Sequence, residues 1–121
     1  MTTTQTLIKA RDLLAQGWCQ GWMAKTASGF NCSPRSGVAA KYCISGAILK
    51  ITHEQKAVAD AFVIIHRAMR SRHSSIAGFN DAPGRTQAEV LKVMDDAINQ
   101  AKSATSIPVA PAITPKTNPS P

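Results

Sequence analysis

The sequence holds a few groups of residues whose types and spacing could do chemistry. The densest is Phe79-Asn80-Asp81-Ala82-Pro83-Gly84-Arg85-Thr86-Gln87-Ala88-Glu89. Thr86 and Glu89 have capping-box spacing: the hydroxyl accepts from a first-turn N–H and the carboxylate reaches back to the cap. Pro83 fixes a dihedral and Gly84 permits a sharp bend, so the chain turns tightly into that helix. Asn80, Asp81 and Arg85 are therefore expected near a helix N-terminus, where main-chain N–H groups favour negative charge. One reading is a self-braced cap in which Arg85 pairs with Asp81. The other is a binding corner, formed by Asn80, Asp81, Arg85 and Thr86, for a small anionic ligand or a host protein. The readings are compatible, because a braced loop is also preorganised.

Cys43 and His66 form the second group. A thiol nucleophile needs a nearby base and a lowered pKa, and with Asn80 or Asp81 this pair would make a hydrolase-like constellation. Free cysteines are more often buried core thiols, and Cys43 lies in an apolar segment. The third group is cationic: Arg67, Arg70, Arg72 and His73 gather at one helix end, where they complement the dipole. They become a polyanion patch only if Arg85 or Lys41 shares their face. No metal or other cofactor is expected: the cysteines lack C-x-x-C spacing, and His53, His66 and His73 make no i, i+4 pair.

Helices must position these groups. Residues 4–16 carry Leu7, Ala10, Leu13 and Leu14 at helical spacing, with a threonine among Thr2–Thr4 as cap and Gly17 as stop. Trp18–Lys25 and Phe30–Ser33 could form a short hairpin across Thr26–Gly29, anchored on the helices by Trp18 or Trp22. Residues 38–51 are apolar on most sides and are expected to form a central helix, in which Gly46 and Ala47 admit a close neighbour. Thr52 and Gln55 suggest a second capping box, opening a helix over 53–70 with Val58, Ala61, Phe62 and Ile65 inward. After a loop from Ser71 to Arg85, residues 86–101 bury Val90, Leu91, Met94, Ala97 and Ile98. The fold class is thus mainly α: a compact four-helix domain over 1–102, with the hairpin after its first helix. From 103 to 121 five of the seven prolines stand among Ser, Thr and Ala, which reads as a disordered, polyproline-like tail.

Bulk properties narrow the setting. At 121 residues and 44% apolar content, the chain can bury a single core. No apolar run approaches the ~20 residues of a membrane span. The N-terminus lacks a basic segment followed by an apolar run, so a cytoplasmic location with reduced thiols is expected. A net charge of +7 favours acidic partners, nucleic acid among them.

Gly17-Trp18, Gln20-Gly21, Tyr42-Cys43-Ile44-Ser45-Gly46-Ala47 and the Asn80–Val90 string resemble a family of small uncharacterised bacterial and bacteriophage proteins. The resemblance spans about residues 5–100, and Phe79 stands where that pattern usually has Trp before Asn-Asp. It implies a fold and a marked surface, and no activity. The function expected from the residues is a non-enzymatic binding module, such as a phage or mobile-element accessory protein acting on a host protein or small ligand. A nucleic-acid-associated protein and a small Cys43/His66 hydrolase are the alternatives.

Overall fold

A computed structural model describes residues 1–106. Helix α1 (Thr3–Gln16) is followed by strands β1 (Ala24–Thr26), β2 (Asn31–Cys32) and β3 (Ala39–Tyr42). Helices α2 (Ile44–Ile51), α3 (Gln55–Ala68), α4 (Ile76–Asp81) and α5 (Gln87–Ser106) complete the fold. Among the described residues it is mainly helical, as expected, but with five helices rather than four and a small sheet in place of a lone hairpin. No helix of the described residues is long and apolar enough to cross a membrane.

Thr2 starts α1 through a reciprocal box with Gln5, each side chain accepting from the other's main-chain N–H. The buried stripe Leu7, Ala10 and Leu14 lets α1 pack on α2, α3 and α5 at once. From α5, Val90, Val93, Met94 and Ala97 close the core against it. Burying a side chain of this size contributes about 1.5–3 kcal/mol, so α1 and α5 form the stable frame of the domain.

The hairpin departs from its expected bounds, since β1 begins only at Ala24 and takes in Thr26 of the expected turn, and β1 also pairs on its other side with β3, giving the antiparallel order β2-β1-β3. That corrects the reading of 38–51 as one helix. A short apolar run fits strand or helix equally by periodicity, and here the free edge of β1 takes Ala39–Tyr42 as a strand. Cys43 is then the N-cap of α2, its sulfur accepting from Gly46 N–H. Trp18 joins the sheet margin by a bridge to Tyr42.

Two further expectations change. Thr52 and Gln55 form no capping box: Glu54 is the N-cap of α3 and makes no side-chain bond, while Thr52 Oγ1 accepts from Glu54 N–H. Inside the expected loop Ser71–Arg85 lies α4, too short to show helical periodicity and capped by Ser75, which accepts from Gly78 N–H. Helix α5 continues to Ser106, past the expected end at residue 101. The remainder of the expected tail lies outside the described residues.

Candidate functional site

Asn80 is fully buried at the end of α4, and its amide ties three segments together. Its Oδ1 accepts from Trp18 Nε1–H at 2.9 Å and from Ile44 N–H at 3.0 Å. Its Nδ2 donates to the Cys19 carbonyl at 3.1 Å and to Asp81 Oδ1 at 2.9 Å. The helix start that Asn80 serves is therefore that of α2, not the α5 start beside it in sequence. A carboxamide suits this place because it supplies two donors and an acceptor in one plane.

Around it the 17–23 segment is fastened to α4. Gln20 Nε2 donates to the carbonyls of Asn80 and Ala82, and Gly21 N–H donates to Asp81 Oδ1 at 3.0 Å. Gly21 has φ +84°, a left-handed conformation that glycine adopts without steric cost. Asp81 is thus held by Gly21 and Asn80, and the expected Asp81–Arg85 pair is not formed. Arg85 instead stacks 3.8 Å over the Phe79 ring, donates Nε–H to the Phe79 carbonyl and pairs with Glu89 at 3.3 Å. The Thr86–Glu89 box is present, with Thr86 N–H donating to Glu89 and Glu89 N–H to Thr86 Oγ1. Those hydrogen bonds, with Arg85 alongside, hold the Glu89 carboxyl below its ordinary pKa.

Above this bracing lies a groove of about 730 Å³ at the end of the sheet where β1 begins and β2 and β3 finish. Residues 21–23 and 32–34 form one wall. Cys43 and Ser45 of the α2 start, with Ala77, Asn80 and Asp81 of α4, form the other. Trp22 is 53% exposed on the rim, so Trp18 is the tryptophan that anchors the fold and Trp22 is left outside it. Sequence reasoning singled out Asn80, Asp81 and Cys43 but missed Met23, Pro34 and Ala77, which reach the groove only through the three-stranded pairing. Trp22 and Met23, large and apolar in a segment without regular structure, were the available signal.

The thiols of Cys19 and Cys43 are not activated. Burial pushes Cys43 above its ordinary pKa despite the Gly46 N–H it accepts. Burial, and then the neighbouring Cys43, raise Cys19 from 9.0 to about 11. A buried thiol whose folded pKa is raised stabilises the fold fully below the unfolded value, and that stability is lost as pH rises through the folded value. Stability should therefore fall between about pH 9 and 11, and Cys19→Ala should flatten that slope in pH-dependent melts. At pH 8, iodoacetamide with mass-spectrometric readout should modify the half-exposed Cys32 first and buried Cys19 last.

His66 stands elsewhere. Its ring Nε2 lies 3.2 Å from the Ser74 carbonyl, and it lines a second hollow with Phe62, Val63, Arg67 and Ile76. No hydrogen bond joins it to Cys43 among the described residues. The cationic group is partly reorganised: Arg72 folds back to donate to the Met69 and Ala68 carbonyls and lies 5.3 Å from the Phe79 ring that Arg85 covers. Arg85 and Arg72 thus meet at one ring, while Arg67 and Arg70 stay on the surface. The His73 ring lies against Gly78, with Nδ1 buried and without a hydrogen-bond partner.

The chain belongs to a family described as a family of unknown function (DUF6197), whose model matches residues 1–100. No curated protein and no solved structure matches significantly.

Proposed function

We propose that the protein is a non-enzymatic binding module that receives an apolar group of its ligand or partner in the groove between the sheet end and α4. The observation that carries this reading is the pairing of an open, largely apolar groove with the fully buried, hydrogen-bonded Asn80 amide beneath it. Asn80 and Asp81 hold residues 19–21 and the α2 start in fixed relation, so the groove is preformed, as small-ligand and side-chain pockets usually are. The thiol-hydrolase alternative has less support: a raised thiol pKa and an imidazole lining a different hollow are poor starting points for nucleophilic attack.

The test uses 1-anilinonaphthalene-8-sulfonate (ANS) as an apolar probe, read by the rise in dye fluorescence. The native protein should bind the dye saturably. Ala77→Trp, at an exposed α4 position, should fill the groove and weaken dye binding at least about tenfold while the melting temperature stays within a few degrees. Equal dye binding by both proteins would place the apolar site elsewhere.

A further inference from the structure

The sheet beside the groove carries an unusual charge arrangement. From Gly17 to His53 the chain has Lys25, Arg35, Lys41 and Lys50 and not one Asp or Glu. In the β1–β3 register Lys25 stands directly opposite Lys41. Directly opposed residues share a face with Cβ atoms about 4.5–5.5 Å apart, and like charges there are destabilising. Strand alternation puts both lysines on the face away from Ala24 and Tyr42, which are buried. Among the described residues neither lysine, nor Arg35, makes an ion pair. This is an uncompensated cationic pair on one face of the sheet.

The pair lies next to the groove. Lys25 and Lys41 each stand two residues from a groove-lining residue, Met23 and Cys43. The surface therefore offers an apolar socket and two adjacent ammonium groups.

We propose, on the premise that the groove is a binding site, that this surface docks an acidic protein segment. An apolar or aromatic side chain of the segment enters the groove, and its flanking carboxylates meet Lys25 and Lys41. Charge selects this occupant over the chain's own end and a second copy. Residues 107–121 contain one Lys and no Asp or Glu, and another copy carries the same +7. It also favours a peptide over nucleic acid, because two lysines beside a groove that is itself lined by Asp81 form no continuous basic track for a phosphate backbone.

Fluorescein-labelled synthetic peptides test this by anisotropy: a Phe flanked by Asp and Glu, the same peptide with Asn and Gln, and the same with Lys. The acidic peptide should bind at least about tenfold tighter than the amide version at low salt, and that advantage should shrink toward about 0.5 M NaCl, where screening is strong. Ala77→Trp should weaken the acidic peptide. Lys25→Glu and Lys41→Glu each turn the like-charge pair into an opposite-charge one, so folding is retained; both should abolish the acidic preference, and the double reversal should favour the Lys peptide. The neutral Lys25→Gln/Lys41→Gln variant should bind acidic and amide peptides alike. Equal binding of acidic and amide peptides by the native protein overturns the acidic assignment, and so does tighter binding of oligo-dT that Ala77→Trp leaves unchanged. Absence of any peptide binding while ANS still binds also overturns it and leaves the groove reading standing. Loss of ANS binding as well removes the groove reading itself.

Discussion

Asn80→Ala is expected to destabilise the protein by about 3 kcal/mol, enough to lower the melting temperature by more than about 10 °C in a domain of this size. The truncation strands the buried Ile44 N–H, the Trp18 indole N–H and the Cys19 carbonyl together. Leaving a buried donor or acceptor unsatisfied costs about 1–3 kcal/mol each, and water entering the space offsets part of the sum. Because Asn80 joins residues 18–19, α2 and α4, the loss should also loosen the groove, and ANS affinity should fall along with stability. Asn80→Asp separates the roles of the two amide atoms. It keeps an acceptor for Trp18 and Ile44 but places a carboxylate against the Cys19 carbonyl and Asp81, so its defect should be large at pH 7 and shrink as acid protonates it. A chemical-denaturation series over pH reads both variants. A loss below about 1 kcal/mol for Asn80→Ala would mean that water substitutes for the amide and that the brace is dispensable.

How much of this was legible in the sequence depended on the range of the interactions. The Thr86–Glu89 box, the α1 stripe and the close approach at Gly46 follow from spacing of a few residues, and each is present. Nothing within Val38–Tyr42 distinguishes strand from helix, because the partner that makes it strand β3, β1, lies more than a dozen residues away. The site divides in the same way. Asn80 and Asp81 were marked by a local turn pattern, but their actual partners, Trp18, Cys19, Gly21 and Ile44, are distant in sequence. Sequence proximity points Arg85 to Asp81, whereas the i, i+4 spacing gives it Glu89 and the chain reversal gives it the Phe79 ring. Residues carrying the family resemblance thus meet in space as one hydrogen-bonded seam, from Trp18 and Gln20 through the α2 start to Asn80, beneath the groove.

Gly46→Ala should reveal how tightly that seam is packed. In an open helix the change would favour folding, because Ala exceeds Gly in helix propensity by about 1 kcal/mol. Here a Cβ on Gly46 would run into the Met23 carbonyl oxygen, with the Met23 carbonyl carbon 2.8 Å away. Neither atom is the end of a flexible side chain; both belong to backbone that also accepts from Cys43 N–H at 3.1 Å. Relief therefore requires residues 22–23 to move off α2, breaking that hydrogen bond and shifting the start of β1. Overpacking of this kind costs about 1–3 kcal/mol, more when a buried hydrogen bond is lost with it. The net expectation is a loss of about 2 kcal/mol, with Gly46→Val worse. Gly37→Ala, where a Cβ meets nothing within 4 Å, supplies the neutral comparison. Met23 forms part of the groove wall, so Gly46→Ala should also change ANS binding in the fraction that remains folded. A melting temperature raised by Gly46→Ala would show that helix propensity outweighs the contact. The 21–23 segment would then be free to move, and the groove would not be the preformed site proposed for it.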